Sequence, residues 1–159
     1  YLKEWGIRFG PLYSSTQERA SDTLELVSGR TDYTRLKGIK EWNFGLFEAQ
    51  PERLQPKFRP GATSFEDLFV PYGGEGVDQV GERVLITLTE VMEKAGAEPV
   101  LAVSHGGAMW AFYLKIAAQA LDPKVRFGNC AICHYQYEQG HFKLAEVIDP
   151  LTGSVYECE

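Results

Sequence analysis

A short apolar run followed by a histidine and two glycines constrains this chain more than any other stretch. Val100–Val103 come directly after a proline and are too few for a typical helix, so they predict a buried β-strand. Large apolar side chains then recur at roughly helical spacing, which predicts a helix directly after His105, Gly106 and Gly107. A buried strand that leads straight into a helix is typical of an α/β sheet with parallel strands.

His105 is the first candidate functional residue. Ligands of open α/β sheets bind at the carboxyl ends of the strands, where helices begin. The free N–H groups and the dipole of the following helix favour an anion there, and Gly106 and Gly107 allow a ligand to approach the backbone closely. An imidazole in this place can exchange a proton near neutral pH or, as a cation, hold negative charge. The alternative is a structural histidine packed at a turn, and the location favours the functional interpretation.

The first part of the chain predicts a helix with an arginine in its first turn. Ile7–Ser14 predicts a short strand, and Ser15–Glu18 has the S-x-x-E form of a capping box, so we expect a helix from Ser15 to a stop at Gly29. The helix dipole disfavours a cation at Arg19. A bound oxyanion would compensate, because a guanidinium holds phosphate or carboxylate with two parallel hydrogen bonds. A solvated surface arginine is the alternative.

Two acids lie in a stretch that mixes large apolar residues with glycines and predicts a strand end and a loop. Glu41 lies among Trp42, Phe44 and Phe47. Such a setting can desolvate a carboxyl group, favour its protonated form and suit it to general-acid catalysis. Glu48 is an equal candidate, and exposure at the surface is the ordinary state of either acid.

Gln50–Gly76 contains four prolines and four glycines and predicts an irregular segment. We expect two short helical pieces in it, Pro51–Phe58 and Ser64–Leu68. Irregular segments of this length are typically functional or disordered, so we expect a small lid at about residues 46–76 within a single domain. Tyr72 is a candidate for contact with a substrate.

Periodicity predicts the remaining elements. Val77–Lys94 places apolar residues at i, i+3 and i+4 and is followed by Gly96, which predicts a core-facing helix. Asn129–Tyr137 and Phe142–Ile148 alternate around a Gln-Gly turn, which predicts a hairpin.

The hairpin raises the alternative of a metal or redox site at Cys130, Cys133, His134 and His141. Positions three apart on a strand face opposite sides, so Cys130 and Cys133 would not converge. A structural zinc ion needs four converging ligands, and a redox C-x-x-C pair belongs at a helix start. Ordinary strand residues are therefore favoured, and we expect no metal.

Charge and composition limit the classes of partner. The 159 residues carry a formal net charge of −6, which argues against nucleic acid as the main ligand. The length and the 44% hydrophobic content suit one globular domain. We expect a cytoplasmic protein with no membrane partner, because the sequence has neither a signal peptide nor a run of about 18 apolar residues. Its odd number of cysteines, three, fits a reduced compartment, and a homodimer is kept open.

Four motifs in order resemble those of the histidine phosphatase superfamily, the phosphoglycerate mutase-like phosphatases. They cover nearly the whole chain, and although each is weak alone, four in sequence are a strong match. The motifs are Tyr13-Ser14-Ser15 with Arg19-Ala20 and Thr23, Ile39–Glu48 with Ala49 in place of glycine, Gly74-Glu75 with Gly76 in place of serine and with Arg83, and Val103–Gly107. The resemblance implies an α/β fold with a mostly parallel sheet and helices on both faces.

The family's defining strand, which ends in Arg-His-Gly and carries the histidine that becomes phosphorylated, is not in this sequence. The three histidines are His105, His134 and His141, and none follows an arginine. We expect this first central strand to precede Tyr1–Trp5, because these residues resemble the last turn of a helix stopped by Gly6. Its loss should expose two unpaired strand edges and leave the 159 residues inactive.

The resemblance also implies a role for each candidate residue. In the intact protein an upstream histidine attacks the phosphorus of a small phosphomonoester, and His105 and Arg19, with an upstream arginine, hold the phosphoryl oxygens. Glu41 protonates the leaving group and then deprotonates water, and no metal or other cofactor is required. The residues expected to bind the substrate or inorganic phosphate are Arg19, Ser15, Gly106 and Tyr72.

We expect hydrolysis of small phosphorylated metabolites rather than mutase chemistry. The family's cofactor-dependent mutases carry longer insertions beside the site than Gln50–Gly76, and a loose lid admits water. The alternatives are mutase-type phosphoryl transfer, a phosphate-binding pseudoenzyme without a nucleophile, and a small metal-binding protein.

Overall fold

The computed structural model describes residues 2, 4–117 and 125–158. Helices and strands alternate through the first two thirds of the chain, and strands follow one another in the last third. The helices are α1 (Glu18–Ser28), α2 (Val77–Ala95) and α3 (Gly106–Ile116), and the strands are β1 (Leu12–Ser15), β2 (Thr34–Leu36), β3 (Leu101–Val103), β4 (Ile132–Glu138), β5 (His141–Asp149) and β6 (Ser154–Glu157).

The strands form two separate sheets of three in the described part of the chain. The first has the order β2-β1-β3 with parallel pairing, in which Tyr13 lies opposite both Thr34 and Ala102. This confirms the predicted α/β fold with a parallel sheet. The second has the order β4-β5-β6 with antiparallel pairing, so parallel pairing is confined to the first sheet. Each sheet has two edge strands, β2 and β3 in the first and β4 and β6 in the second.

Helix α2 confirms the periodicity prediction and supplies much of the core. The side chains of Val80, Val84 and Val91 on this helix are buried. The helix ends at Ala95, and Gly96 after it has a φ of 64°. At Gly81 a Cβ atom would lie 2.8 Å from the carbonyl oxygen of Ala111, so glycine allows α2 and α3 to approach closely. None of the helices in the described ranges has the length and apolar character needed to cross a membrane.

The predicted start of α1 is wrong. The helix begins at Glu18, and Ser15 is the last residue of β1, where it lies opposite Leu36. The serine hydroxyl accepts the N–H of Gln17 at 3.1 Å and also contacts His105, which lies between β3 and α3. Sheet pairing and a tertiary contact therefore take the serine out of the capping box. The predicted strand Ile7–Ser14 is shorter in the structure, where β1 begins only at Leu12 and ends at Ser15. The predicted helix stop at Gly29 is confirmed by its φ of 68°.

The irregular segment Gln50–Gly76 contains 3-10 turns instead of the two predicted helical pieces, and the turns are Glu52–Leu54 and Val70–Tyr72. Its aromatic rings pack edge to face, as in the Phe65–Phe69 pair with centroids 5.2 Å apart. The indole N–H of Trp110 on α3 donates to the carbonyl oxygen of Thr63 at 2.7 Å. The segment is therefore packed against the domain without regular structure.

The C-terminal hairpin is confirmed, with Gln139 and Gly140 at positive φ between the paired residues Glu138 and His141. Positive φ at both turn residues is the geometry of a two-residue hairpin turn. Strand β6 follows a further turn that the sequence pattern did not predict. The predicted last helical turn at Tyr1–Trp5 lies partly outside the described residues, and Gly6 after it has a φ of 65°.

The alternative metal site does not assemble. Cys130 is exposed and precedes β4, and His134 lies 2.9 Å from the Glu146 carboxylate. Burial raises the pKa of the Cys133 thiol to about 12, which disfavours the thiolate that binds metals. No group of three or more His, Cys, Asp or Glu side chains in the described ranges could hold a metal ion.

Candidate active site

The carboxyl ends of β1 and β3 meet at a buried hydrogen bond. Ser15 Oγ lies 2.7 Å from His105 Nε2, and the two residues are 0% and 7% exposed. The strands are parallel neighbours, with Ser14 opposite Val103, so the residues that follow each strand lie at the same edge of the sheet. The structure therefore brings Ser15 and His105 together where ligands of α/β sheets bind.

The Glu41 carboxylate occupies the N-terminus of α3, directly after His105. Its Oε1 accepts the N–H of Ala108 at 2.9 Å, and its Oε2 accepts the N–H of Gly107 at 3.4 Å. Its Oε1 also accepts the N–H of Trp42 at 2.8 Å. The N–H groups of Gly107 and Ala108, expected to be free for a ligand, are thus bound by a side chain of the protein. Helix dipole and N–H groups favour an anion there, as expected, and the anion is Glu41.

The aromatic rings next to Glu41 in the sequence pack on other aromatic rings. The ring of Trp42 packs on Phe65, and those of Phe44 and Phe47 pack on Phe69. The carboxyl group of Glu41 accepts backbone N–H groups of Trp42, Gly107 and Ala108.

Glu48, the other candidate acid, is used in a local turn. Its Oε1 accepts the N–H of Phe44 at 2.9 Å. The contacts of the described residues join Glu48 to none of Ser15, Glu41 and His105, so the geometry separates two acids that were equal candidates in the sequence.

Gln17 links the serine, the histidine and the acid, and the sequence patterns did not reveal it. Its side-chain Oε1 accepts the N–H of Glu41 at 2.8 Å, and its own N–H donates to Ser15 Oγ. Gln17 therefore binds both Ser15, which contacts His105, and the backbone of Glu41. A glutamine in a turn has no sequence signal that would have singled it out.

Arg19 lies in the first turn of α1, exposed, with its guanidinium outside ion-pair distance of any carboxylate in the described ranges. Its charge nevertheless acts on the histidine. Burial lowers the pKa of His105, the Glu41 carboxylate opposes that shift, and the positive charges of Arg19 and Arg83 add to it. The net direction is downward, so the neutral imidazole is favoured at neutral pH. An anion bound at Arg19 would reverse part of this effect.

Arg83 and Glu75 form an ion pair beside the loop that carries Glu41. Arg83 Nε donates to Glu75 Oε1 at 2.7 Å and Nη2 donates to Oε2 at 2.9 Å. Burial opposes ionisation of Glu75, but the hydrogen bonds from Arg83 and from the N–H of Asn43 outweigh it and lower the pKa of Glu75. The sequence signal was the Gly-Glu motif with an arginine eight residues after the glutamate, and it gave no role for either residue.

Two predicted substrate contacts differ in their placement. Gly106 is the first residue of α3, follows His105 directly and is exposed to solvent. Tyr72 is 40% exposed with its ring 4.9 Å from that of Phe47, and no contact in the described ranges joins it to Ser15 or His105. The structure thus places Gly106 at the candidate site and does not bring Tyr72 to it. The catalytic and binding roles of all these residues stay predictions.

Comparison with known proteins identifies the family. The histidine phosphatase superfamily (branch 1) matches residues 1–150. The chain belongs to this superfamily. The elements that meet at His105, Glu41 and Arg19 are therefore those of a histidine phosphatase domain.

Two curated relatives of this histidine phosphatase chain come from Arabidopsis thaliana. A metal-independent phosphoserine phosphatase is 28% identical over 135 residues, which cover 77% of this chain and 55% of that protein. A phosphoglycerate mutase-like protein 4 is 26% identical over 110 residues, which cover 64% of this chain and 48% of that protein. The chain thus spans about half the length of the curated relatives it matches.

Solved structures of low identity share the fold. Bacillus stearothermophilus YhfR matches with a TM-score of 0.73 and 21% identity over 91% of this chain and 76% of that one. A mutant phosphoserine phosphatase from Entamoeba histolytica, solved in complex with phosphoserine, matches with a TM-score of 0.66 and 19% identity over the same shares. These likenesses confirm the histidine phosphatase fold.

Proposed function

We propose that the intact protein is a phosphomonoester hydrolase that acts on small phosphorylated metabolites through a phosphohistidine intermediate. The observation that carries this proposal is the convergence of His105, the exposed Arg19 and the Glu41 carboxylate at one edge of the parallel sheet, where the described residues offer Arg19 no ion-pair partner. Relatives named as a phosphoserine phosphatase and a phosphoglycerate mutase-like protein support phosphatase or mutase-type chemistry in general.

In the proposed reaction an upstream histidine attacks phosphorus in line, and the bond from phosphorus to the ester oxygen breaks. His105, Arg19 and the N–H of Gly106 bind the equatorial oxygens, where charge accumulates in the transition state. Glu41 gives a proton to the leaving alkoxide. It then takes a proton from the water that cleaves the phosphohistidine and releases inorganic phosphate.

Glu41 must carry a proton when the first step begins. Its carboxylate accepts three backbone N–H groups. A phosphoryl group bound beside His105 would place negative charge next to that carboxyl group. The proposed acid step needs Glu41 in its protonated form while the substrate is bound.

Hydrolysis is proposed in preference to mutase-type transfer because water has access to this site. Arg19 and Gly106 are exposed. A mutase must exclude water from its phosphohistidine. We further propose a small phosphorylated substrate or inorganic phosphate as the ligand, with no nucleic-acid or membrane partner, in the cytoplasm.

The test is hydrolysis of 4-nitrophenyl phosphate by the full-length protein with a metal chelator present. His105→Ala and Arg19→Ala should each lower kcat/KM by a factor of about 10² or more, the scale for loss of one preorganised oxyanion donor. Arg8→Ala is the matched control, since Arg8 is exposed before the amino end of β1, at the opposite end of that strand from Ser15. Unchanged rates in both site variants would refute the proposal.

Two further outcomes distinguish the alternatives. Transfer of the phosphoryl group to a second metabolite without release of inorganic phosphate would establish mutase-type phosphoryl transfer. Phosphate binding that requires Arg19, in a full-length protein that hydrolyses no monoester, would establish the pseudoenzyme.

A further inference from the structure

We propose that Arg83 is a positioning residue that fixes the loop carrying Glu41, so that the Glu41 carboxylate reaches the N-terminus of α3. The proposal rests on the acid role of Glu41 in the proposed function. Arg83 lies on α2, in a different element from both the loop and α3, and its guanidinium is held at the backbone of residues 38–41.

The guanidinium of Arg83 uses all five of its N–H donors. Nη1 donates to the carbonyl oxygens of Gly38 and Lys40, both at 2.8 Å, and Nη2 donates to that of Glu41 at 3.0 Å. The remaining two donors bind the Glu75 carboxylate. Five donors in a rigid plane are a property of arginine, and the three donors of a lysine ammonium could not reproduce this set.

Glu75 binds both the guanidinium of Arg83 and the two residues that follow Glu41 in the loop. Its Oε2 accepts the N–H of Asn43 at 2.9 Å, and its carbonyl oxygen accepts the indole N–H of Trp42 at 2.7 Å. The side chains of Arg83 and Glu75 are each only 19% exposed, so this pair is better shielded from water than an ordinary surface ion pair. The loop is therefore bound on both sides of Glu41.

The peptide groups of Glu41 are fixed at both ends. Its N–H donates to Gln17 Oε1 at 2.8 Å and its carbonyl oxygen accepts from Arg83. Only side-chain rotation is left to direct the carboxylate to Gly107 and Ala108. If the hydrogen bonds from the Arg83 guanidinium to the loop carbonyls are lost, the loop can shift. A displacement of about 1 Å at a catalytic group can cost on the order of 10²-fold in rate.

The direct test is Arg83→Lys in the whole protein labelled with ¹⁵N. Lysine keeps the positive charge, which also acts on His105. A change at Glu41 therefore results from the loss of the guanidinium hydrogen bonds and not from the loss of charge. We expect the amide resonances of Gly107 and Ala108 to move in Arg83→Lys in the direction that Glu41→Gln moves them. Arg59→Lys is the matched control, because Arg59 pairs with Glu66 at 2.7 Å on the exposed irregular segment, and it should leave both resonances in place.

Resonances of Gly107 and Ala108 that stay at their wild-type positions in folded Arg83→Lys would overturn the proposal. If Arg83→Lys does not fold, Glu75→Gln replaces it, since Glu75 binds two of the five donors. Glu75→Gln should move the same two resonances, and unchanged positions in that variant would equally overturn the proposal.

Kinetics separate positioning from general stability. Arg83→Lys should lower hydrolysis of an alkyl phosphate by on the order of 10²-fold and that of 4-nitrophenyl phosphate much less, because a good leaving group needs no proton. In a Glu41→Gln background the added Arg83→Lys should leave the ratio of the two rates unchanged. Equal loss on both substrates in the single variant would mean a structural role only and would overturn the proposal. If Glu41→Gln itself does not change the ratio, the acid role fails, and the amide resonances still decide the positioning of the carboxylate.

Discussion

Gly107→Ala should destabilise the protein even though alanine is the better helix former. A Cβ atom at Gly107 would lie 2.7 Å from Glu41 Oε1, closer than Cβ atoms approach an oxygen in folded proteins, so the carboxylate has to move. Movement breaks the bond from Ala108 at 2.9 Å and the long one from Gly107 at 3.4 Å. A hydrogen bond to a charged group contributes about 1.5–3 kcal/mol, and replacing glycine within a helix returns up to about 1 kcal/mol. Counting one full bond and the full gain in helix propensity, we expect a net loss of about 0.5–2 kcal/mol in the free energy of unfolding.

Urea unfolding of four variants measures this effect. Gly106→Ala is the control, because a Cβ there would meet its nearest atom, the carbonyl oxygen of Phe127, at an ordinary 3.7 Å, and its stability should not fall. In a Glu41→Ala background Gly107→Ala should become stabilising by up to about 1 kcal/mol, since only the helix propensity is left. If Gly107→Ala is as stable as wild type, or if its effect has the same sign in both backgrounds, the Glu41 carboxylate does not occupy the N-terminus of α3.

Three other predictions follow from burial and packing. Because the pKa of His105 is lowered below the value of about 6.5 in the unfolded chain, the unfolded state binds more protons. Stability should therefore fall as the pH drops below about 6.5 and should gain nothing above it; His105→Asn should flatten the profile, and an unchanged profile would contradict the assignment. Mass spectrometry after maleimide labelling at pH 8 should find exposed Cys130 modified before Cys133, whose pKa is raised to about 12 by burial, and equal rates would contradict that burial. Gly81→Ala should lower the free energy of unfolding by about 1–3 kcal/mol through overpacking against Ala111, whereas Gly128→Ala, where a Cβ meets no atom within 4 Å, should not.

The site uses a protein carboxylate where a ligand oxyanion was expected. Helix α3 offers its first N–H groups beside His105, and Glu41 takes two of them. The arrangement satisfies donors that would otherwise be without an intrahelical partner, and it holds a negative charge close to the neutral imidazole. A phosphoryl group bound at Arg19 and His105, as proposed, would lie close to that carboxylate.

Short-range patterns were enough to predict much of the fold. The strand before His105 and the helix after it, the helix α2 with its stop at Gly96, and the Gln139-Gly140 hairpin turn all depend on residues a few positions apart. Apolar periodicity and the backbone freedom of glycine act within that range, so these elements can be read from the chain alone.

The details of the site depend on contacts that no local pattern contains. Ser15 was predicted to cap a helix, but its hydroxyl binds a histidine 90 positions away. The choice between Glu41 and Glu48 was open until the carboxylate of Glu41 was found on Ala108, 67 positions away. The five bonds of Arg83 join three segments that only the folded chain brings together. Local sequence thus determined which elements form and that an anion belongs at the start of α3, whereas the packing of distant segments decided which groups hold that position, because hydrogen bonds to side chains depend on distance in space and not on distance along the chain.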